Sequence, residues 1–256
     1  MPLGVLLDIA GVLYDGDEAV LGAAQAVSRL HKASVPVRYI TNSTRRPKRR
    51  IQKQLASFGI AADLSEISTP AEVASAWLRQ HGLAPHLLIH PDLEEDFAEL
   101  PESDKLAVVV GDAGPYFTYE RMNAAYRALM AGAPFLALAA NRVFKDADGE
   151  LSLDAGAFVR ALEFASGIDA TVLGKPSKDF FQGAADSMGC KASEVVMVGD
   201  DAESDVAGAL AAGIGEALLV KTGKYRDGDE SRHRPAPTAV VADIADAVAL
   251  ILDRHA

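Results

Sequence analysis

Apolar and polar positions along this chain follow two periods, and the pattern switches between them many times. Val5–Leu7 is an apolar run that stops at the carboxylate of Asp8, with Gly11 three residues later. This predicts a buried strand that carries Asp8 at its C-terminal tip, with the backbone turning away at Gly11. Gly22–Lys32 then places Ala23, Val27 and Leu30 at helical spacing. The β-branched stretch Val35–Ile40 reads as a second strand, ending in Thr41-Asn42-Ser43. Pro47 opens a helix that runs to about Phe58 and is closed by Gly59. Thr69-Pro70 starts another, carrying Val73, Ala76 and Trp77 and ending near Gly82. Leu87–Ile89 and Leu106–Val110 read as strands, Tyr119–Met130 as an amphipathic helix followed by Gly132, and Phe135–Leu138 as a strand.

The alternation continues to the end. Ala155–Ser166 is a predicted helix, and Ala170–Leu173 a strand that meets Gly174-Lys175-Pro176. Lys178–Met188 is a helix, and Glu194–Val198 a strand ending in Gly199-Asp200-Asp201. Ser204–Ala212 is a helix stopped by Gly213; Ala217–Val220 and Ala239–Ala242 are short strands; Asp243–Leu252 is a closing helix. Arg226–Pro237 is polar and contains proline, so it reads as a surface loop. Asp146-Ala147-Asp148-Gly149 resembles part of a calcium loop, but Asp154 misses the position of the closing glutamate, so a hairpin turn is the better reading. Strands and helices in this order predict an α/β fold with a doubly wound parallel sheet covered on both faces.

Composition narrows the class. The chain has 256 residues, 49% hydrophobic and 24% charged, as expected of one large or two small globular domains. A formal net charge of −11 argues against nucleic acid or an anionic membrane as partner. The single cysteine, Cys190, rules out an intramolecular disulfide and fits a reducing compartment. No basic segment precedes the first apolar run, and no stretch is long enough to span a bilayer. The expectation is a cytoplasmic protein. The six histidines lack metal-site spacing, and no Gly-x-x-x-x-Gly-Lys-Ser/Thr loop occurs.

Candidate chemistry lies at four strand tips: Asp8, Thr41, Lys175 and Asp200. In open α/β sheets ligands bind outside the carboxyl ends of strands. Two carboxylates placed together require a cation, and Mg²⁺ takes one or two carboxylates alongside phosphate oxygens and water. The Lys175 ammonium and Thr41 hydroxyl are donors suited to a phosphoryl group. A carboxylate attacking phosphorus is an established covalent route. Taken singly, Gly-Lys-Pro is a turn, Gly-Asp-Asp a helix cap and Thr-Asn-Ser a turn or cap. All four at strand ends, in this order, point to phosphoryl chemistry.

These motifs resemble those of the haloacid-dehalogenase-like hydrolase superfamily over nearly the whole chain: Asp8-Ile9-Ala10-Gly11-Val12, Thr41-Asn42, Lys175, and Gly199–Asp205. The distance from Thr41 to Lys175 is similar to that in the branch with a large α/β cap, which includes nucleotide and 4-nitrophenyl phosphatases. Leu6–Asp15, Leu87–His90, Gly174–Ser177 and Lys221–Arg226 carry the resemblance to phosphatases further. It implies a Rossmann-like core at 1–81 and 168–256 with a smaller cap at 82–167 that closes over the site and selects substrate. It implies Asp8 as the nucleophile forming an aspartyl phosphate, and Mg²⁺ held by Asp8, Asp200 and the carbonyl of Ala10. Thr41, Asn42, Ser43 and Lys175 would bind substrate. Asp205 would orient Lys175 or a metal-bound water, while Asp201 stays open between supporting the site and capping a helix. A small phosphorylated substrate and a homodimer through the cap are implied as well.

One position departs from the family pattern. The usual second aspartate, two residues after the nucleophile, is Ala10 here. That residue acts as general acid and base, work worth about 10²–10⁴-fold. Alanine can do neither, although its carbonyl can still bind metal. An alkyl phosphate needs the acid because its leaving group is a poor alkoxide. A phosphoramidate nitrogen can carry its own proton, and pyrophosphate leaves as a stabilised phosphate. The expected substrates are therefore small phosphoramidates and pyrophosphate, with phosphomonoesters as a further class. The alternative is a weakly active or inactive binding or regulatory protein on the same fold. Asp15 or Asp17 could stand in as acid, but both read better as solvated loop residues. The cluster Arg45-Arg46-Pro47-Lys48-Arg49-Arg50 reads first as a solvated helix face, second as a funnel for anionic substrate, and third as a nucleic-acid patch.

Overall fold

A computed structural model describes residues 4–145 and 150–254. Along the chain the strands are β1 (Gly4–Asp8), β2 (Tyr14–Asp15), β3 (Glu18–Ala19), β4 (Val37–Ile40), β5 (Ile67–Ser68), β6 (Ala84–Leu88), β7 (Leu106–Val110), β8 (Phe135–Ala137), β9 (Val143–Lys145), β10 (Leu151–Leu153), β11 (Thr171–Val172), β12 (Val195–Gly199), β13 (Glu216–Val220) and β14 (Ala239–Val241). The α-helices are α1 (Ala23–Lys32), α2 (Lys48–Ser57), α3 (Pro70–His81), α4 (Tyr119–Met130), α5 (Ala155–Ser166), α6 (Lys178–Asp186), α7 (Gly208–Ala212), α8 (Asp229–Arg232) and α9 (Ile244–Arg254). The chain divides into two compact units. One comprises Met1–Thr41, Arg49–Ser68 and Lys175–Ala256; the other comprises Asn42–Lys48 and Thr69–Gly174.

The first unit is built on a six-stranded sheet in the order β14-β13-β12-β1-β4-β5, parallel throughout. Its central strand β1 is buried at every position, and β12 likewise. Such unbroken apolar strands are what a parallel sheet covered on both faces demands. Val5, Leu6 and Leu7 are fully buried, each contributing about 1.5–3 kcal/mol by removal from water. Val5 and Leu7 join a core with Val27 and Leu30 of α1 and Val248 and Ile251 of α9. The register pairs Leu7 with Val198 and Asp8 with Ile40, so Asp8, Thr41 and Asp200 leave adjacent strands at one edge.

The second unit holds a four-stranded parallel sheet in the order β11-β8-β7-β6, together with the antiparallel pair β9–β10. Helix α3 packs here: Ala71, Ala74 and Leu78 share a core with Val109 of β7 and Leu136 of β8. Thr69 caps α3, its hydroxyl accepting from the Glu72 amide at 3.2 Å, with Pro70 in the first turn and Gly82 in the left-handed conformation at the end.

The α/β architecture and parallel sheets agree with the sequence reading, and the differences are local. Strand β6 starts at Ala84 rather than Leu87, because Pro85 is tolerated on a sheet edge, where its missing N–H costs no ladder bond. The two-residue strand β5 and the hairpin β2–β3 carry no apolar pattern of their own. The polar stretch Arg226–Pro237 contains the short helix α8. Residues 202–207 form a wide π-type turn before α7, where an ordinary helix is expected. The turn at Asp146–Gly149 lies outside the described residues; the strands on either side, β9 and β10, pair antiparallel. Among the described residues no helix is long and apolar enough to cross a membrane.

Candidate active site

At the carboxyl edge of the first unit's sheet, five polar side chains are buried: Asp8, Thr41, Lys175, Asp200 and Asp205. Buried charges persist only where they are paired, and the pairing here is specific. The Lys175 ammonium donates to Asp8 and sits 2.8 Å from Asp205 Oδ1. Burial opposes the Lys175 charge, but Asp205 and Asp8 outweigh it and hold the ammonium above the ordinary lysine range. Asp8 is raised to about 6, chiefly by burial, with Lys175 acting against the rise.

Asp200 is placed differently. Its Oδ2 accepts the Lys224 amide at 2.7 Å, while its Oδ1 is buried with no hydrogen-bond partner among the described residues. Burial first, then repulsion from Asp8 and Asp205, pushes its carboxyl up to about 8. Oxygens of Asp8, Asp200 and Asp205 lie within 4.8 Å of one another. Three carboxyl groups share one buried ammonium, so the cluster cannot hold all of them ionised without a further cation. A hard dication with oxygen ligands fits this donor set, and the bare oxygen of Asp200 is the atom that would otherwise be left unsatisfied.

Local backbone geometry explains why these residues meet. The Asp201 carbonyl accepts from both Asp205 N–H (3.0 Å) and Val206 N–H (3.2 Å), which winds the wide turn. Asp205 is thereby brought back over the end of β12, where a Cβ on Gly199 would overlap its side chain. Such wide turns are frequent at functional sites. Asp201 Oδ1 accepts the amides of Glu203 (3.1 Å) and Ser204 (3.0 Å), so Asp201 caps this turn, and its Oδ2 is 3.3 Å from the Lys224 ammonium. Thr41 follows the last residue of β4, and its amide donates to Ser68 at 3.3 Å.

Of the remaining candidates, some fall in the second unit and others are exposed. Asn42 and Ser43 belong to the second unit, where Asn42 Oδ1 lies so close to Gly174 that a Cβ there would approach it to 2.6 Å. Ala10 is exposed, and Asp15 and Asp17 are exposed on or beside the β2–β3 hairpin. Arg45 pairs with Asp112 at 3.0 Å and lies over the Phe144 ring; Lys48 pairs with Glu72 at 2.6 Å, and its amide donates to Asp96 at 3.1 Å. These acids offset the cations that a helix start disfavours. Thr222, Gly223 and Lys224 lie in the Lys221–Arg226 stretch that carries the resemblance but received no role from the sequence, and they reach Gly11 and Asp200. The cue available was a Thr-Gly pair directly beyond a strand end.

Comparison with known proteins identifies the family. A family described as haloacid dehalogenase-like hydrolase matches residues 5–113, and one described as HAD-hydrolase-like matches residues 172–247. The chain is 40% identical to the phospholysine phosphohistidine inorganic pyrophosphate phosphatase of Homo sapiens, over 99% of this chain and 95% of that one. It is 42% identical to the haloacid dehalogenase-like hydrolase domain-containing protein 2 of Bos taurus, over 97% and 95% of the two chains. The p-nitrophenyl phosphatase from Archaeoglobus fulgidus superposes with a TM-score of 0.89 at 26% identity, over 97% of this chain and 99% of that one. The chain therefore belongs to the haloacid dehalogenase-like hydrolase family and is one of its phosphatases.

Proposed function

We propose that this phosphatase is Mg²⁺-dependent, works through an aspartyl phosphate on Asp8, and acts on small phosphoramidates and pyrophosphate, with phosphomonoesters as a further class. The observation that supports it is the buried set in which Lys175 bonds both Asp8 and Asp205 while Asp200 keeps a bare oxygen. Asp8 attacks phosphorus; the Asp8–phosphorus bond forms as the bond to nitrogen or bridging oxygen breaks. Water then releases phosphate and restores Asp8. Lys175, with Thr41, Asn42 and Ser43, binds the transferring group, and Asp205 holds Lys175 in place. Asp8, Asp200 and the Ala10 carbonyl would hold the metal, which when bound offsets charge on the phosphoryl oxygens.

Substrate class follows from Ala10, which leaves no acid for a poor leaving group. A relative named for phospholysine, phosphohistidine and inorganic pyrophosphate supports the same class. The second unit, which contains the whole of 82–167, is proposed as the cap that selects substrate. A cytoplasmic homodimer joined through that cap completes the reading, and light scattering on the purified chain tests its dimeric part.

The test is phosphate release with Mg²⁺ from a panel: phosphohistidine, imidodiphosphate, pyrophosphate, and alkyl and aryl phosphomonoesters, with Asp8→Asn as control. Release from nitrogen-linked and anhydride substrates, abolished in the control, is expected. A second reading, a binding protein that has lost turnover, is favoured by Ala10 alone. No release from any member, with Mg²⁺ still binding, would establish it instead.

A further inference from the structure

The loop Thr222–Lys224 lies directly beyond β13, the strand beside β12, and touches both parts of the proposed metal site without supplying a charged ligand to it. Thr222 Oγ1 donates to the Gly11 carbonyl. Gly223 and Gly11 approach so closely that a Cβ on either would run into the other's Cα, and both abut the Asp200 carboxylate. The Lys224 amide donates to Asp200 Oδ2 at 2.7 Å. The loop is itself held in shape: Gly223 is left-handed (φ 59°), and the Arg226 guanidinium donates to the carbonyls of Gly223 (3.4 Å), Lys224 (3.1 Å) and Tyr225 (2.7 Å).

We infer that Thr222 and the backbone of Gly223 and Lys224 form a clamp that positions the metal site for Mg²⁺. The inference rests on the Mg²⁺ reading above. The amide of Lys224 occupies one oxygen of Asp200 and leaves the buried Oδ1 bare, so Oδ1 would be the oxygen available to hold the ion. The Thr222 hydroxyl ties down the Gly11–Val12 peptide, one unit beyond the Ala10 carbonyl, which is the non-carboxylate donor in the proposed set. Together they hold two chain segments, from β1 and β12, at a fixed separation. Partners of this kind orient ligands, and losing one typically lowers metal affinity about 10–100-fold. Thr222 is a positioning residue, since it acts through Gly11 and contacts no reacting atom.

The experiment is calorimetric titration of the full chain with MgCl₂, read as affinity rather than turnover, on wild type, Thr222→Val, Thr222→Ser and Gly223→Ala. Valine keeps the shape of threonine and removes the donor; serine restores the donor and removes the methyl. Thr222→Val is expected to weaken Mg²⁺ binding about tenfold or more, while Thr222→Ser stays within about threefold of wild type. Gly223→Ala, which forces a side chain into Asp200 from a left-handed backbone, is expected to lose more than Thr222→Val. Mg²⁺ bound by Thr222→Val as tightly as by wild type overturns the clamp and leaves the Mg²⁺ reading standing, and so does equal weakening in Thr222→Ser. Wild type that binds no Mg²⁺ overturns both. If Thr222→Val does not fold, the serine and Gly223→Ala variants decide by the same criteria.

Discussion

Lys175 is the residue on which the buried charges balance. Removing it leaves Asp8 and Asp205 facing each other in the interior, and breaking a buried pair from one side costs about 3–5 kcal/mol. Lys175→Met should therefore lower stability by about that amount in urea denaturation and reduce turnover about 10²–10³-fold. A variant that loses turnover at unchanged stability would show that the ion pairs hold nothing together. Ala10→Asp tests the other side of the chemistry. Turnover of alkyl phosphates should rise more than that of phosphoramidates, because only the former needs the acid; equal gains would remove Ala10 as the determinant of substrate class. Asp8, Lys175 and Asp200 stand out in the sequence because Asp8 ends an apolar run and Lys175 and Asp200 each follow a glycine shortly after one, and the structure buries all three. Thr222 and Lys224 do not, because they act through a hydroxyl and a backbone amide, and an amide has no residue type. The position of Asp201 was open for a related reason: capping and ligation use the same oxygens, and only hydrogen-bond partners separate them.

At the scale of elements, the helices with both ends marked were the most readable. Tyr119–Met130 and Ala155–Ser166 lie between Thr118 and Gly132 and between Asp154 and Gly167, so capping chemistry brackets the periodic stretch. Helix α3 is bracketed in the same way by Thr69 and Gly82. Thr69→Ala should cost about 1 kcal/mol, read as a lower urea midpoint with unchanged slope, because the Glu72 amide loses its acceptor. Thr69→Ser should recover most of that loss. The elements that escaped the sequence are those whose cause is not local. Strand β5 exists because Ile67 and Ser68 pair with Tyr39 and Ile40, and nothing in two residues can announce it. The wide turn at Ala202–Ala207 departs from helical periodicity only through the double acceptance at the Asp201 carbonyl, while its apolar residues still fall where a helix would put them. That small departure is what delivers Asp205 to Lys175.

For the molecule as a whole, the proposed metal site would set a trade between stability and activity. Without a cation the site holds Asp200 in a place that burial and two neighbouring carboxylates make unfavourable for its charge. Asp200→Asn removes that charge while keeping the shape, so the metal-free variant should be at least as stable as metal-free wild type. Wild type should in turn gain about 2.7 kcal/mol when Mg²⁺ is raised to a hundred times its dissociation constant, and the variant should gain almost nothing. Thermal denaturation with and without MgCl₂ measures both differences. An equal gain in the two proteins would place the stabilising ion elsewhere. The α/β architecture was legible at this scale because strand and helix periods alternate cleanly through the chain, and parallel pairing follows from that alternation. The division of the chain between two units was harder to read, since α3 carries the same apolar stripe whichever sheet it covers.

The contact between Gly11 and Gly223 bears on how relatives of this chain should be read. Two loops separated by more than two hundred positions meet where neither can carry a side chain, and both press on Asp200. A relative that gave up catalysis could replace Asp8 or Lys175, yet a larger residue at either glycine would still force the two loops apart. Loss of the glycines should therefore occur as a pair, together with rebuilding of both loops. Across a set of descendants, this pair would report inheritance of the architecture, while Asp8 and Lys175 would report inheritance of the reaction proposed for them.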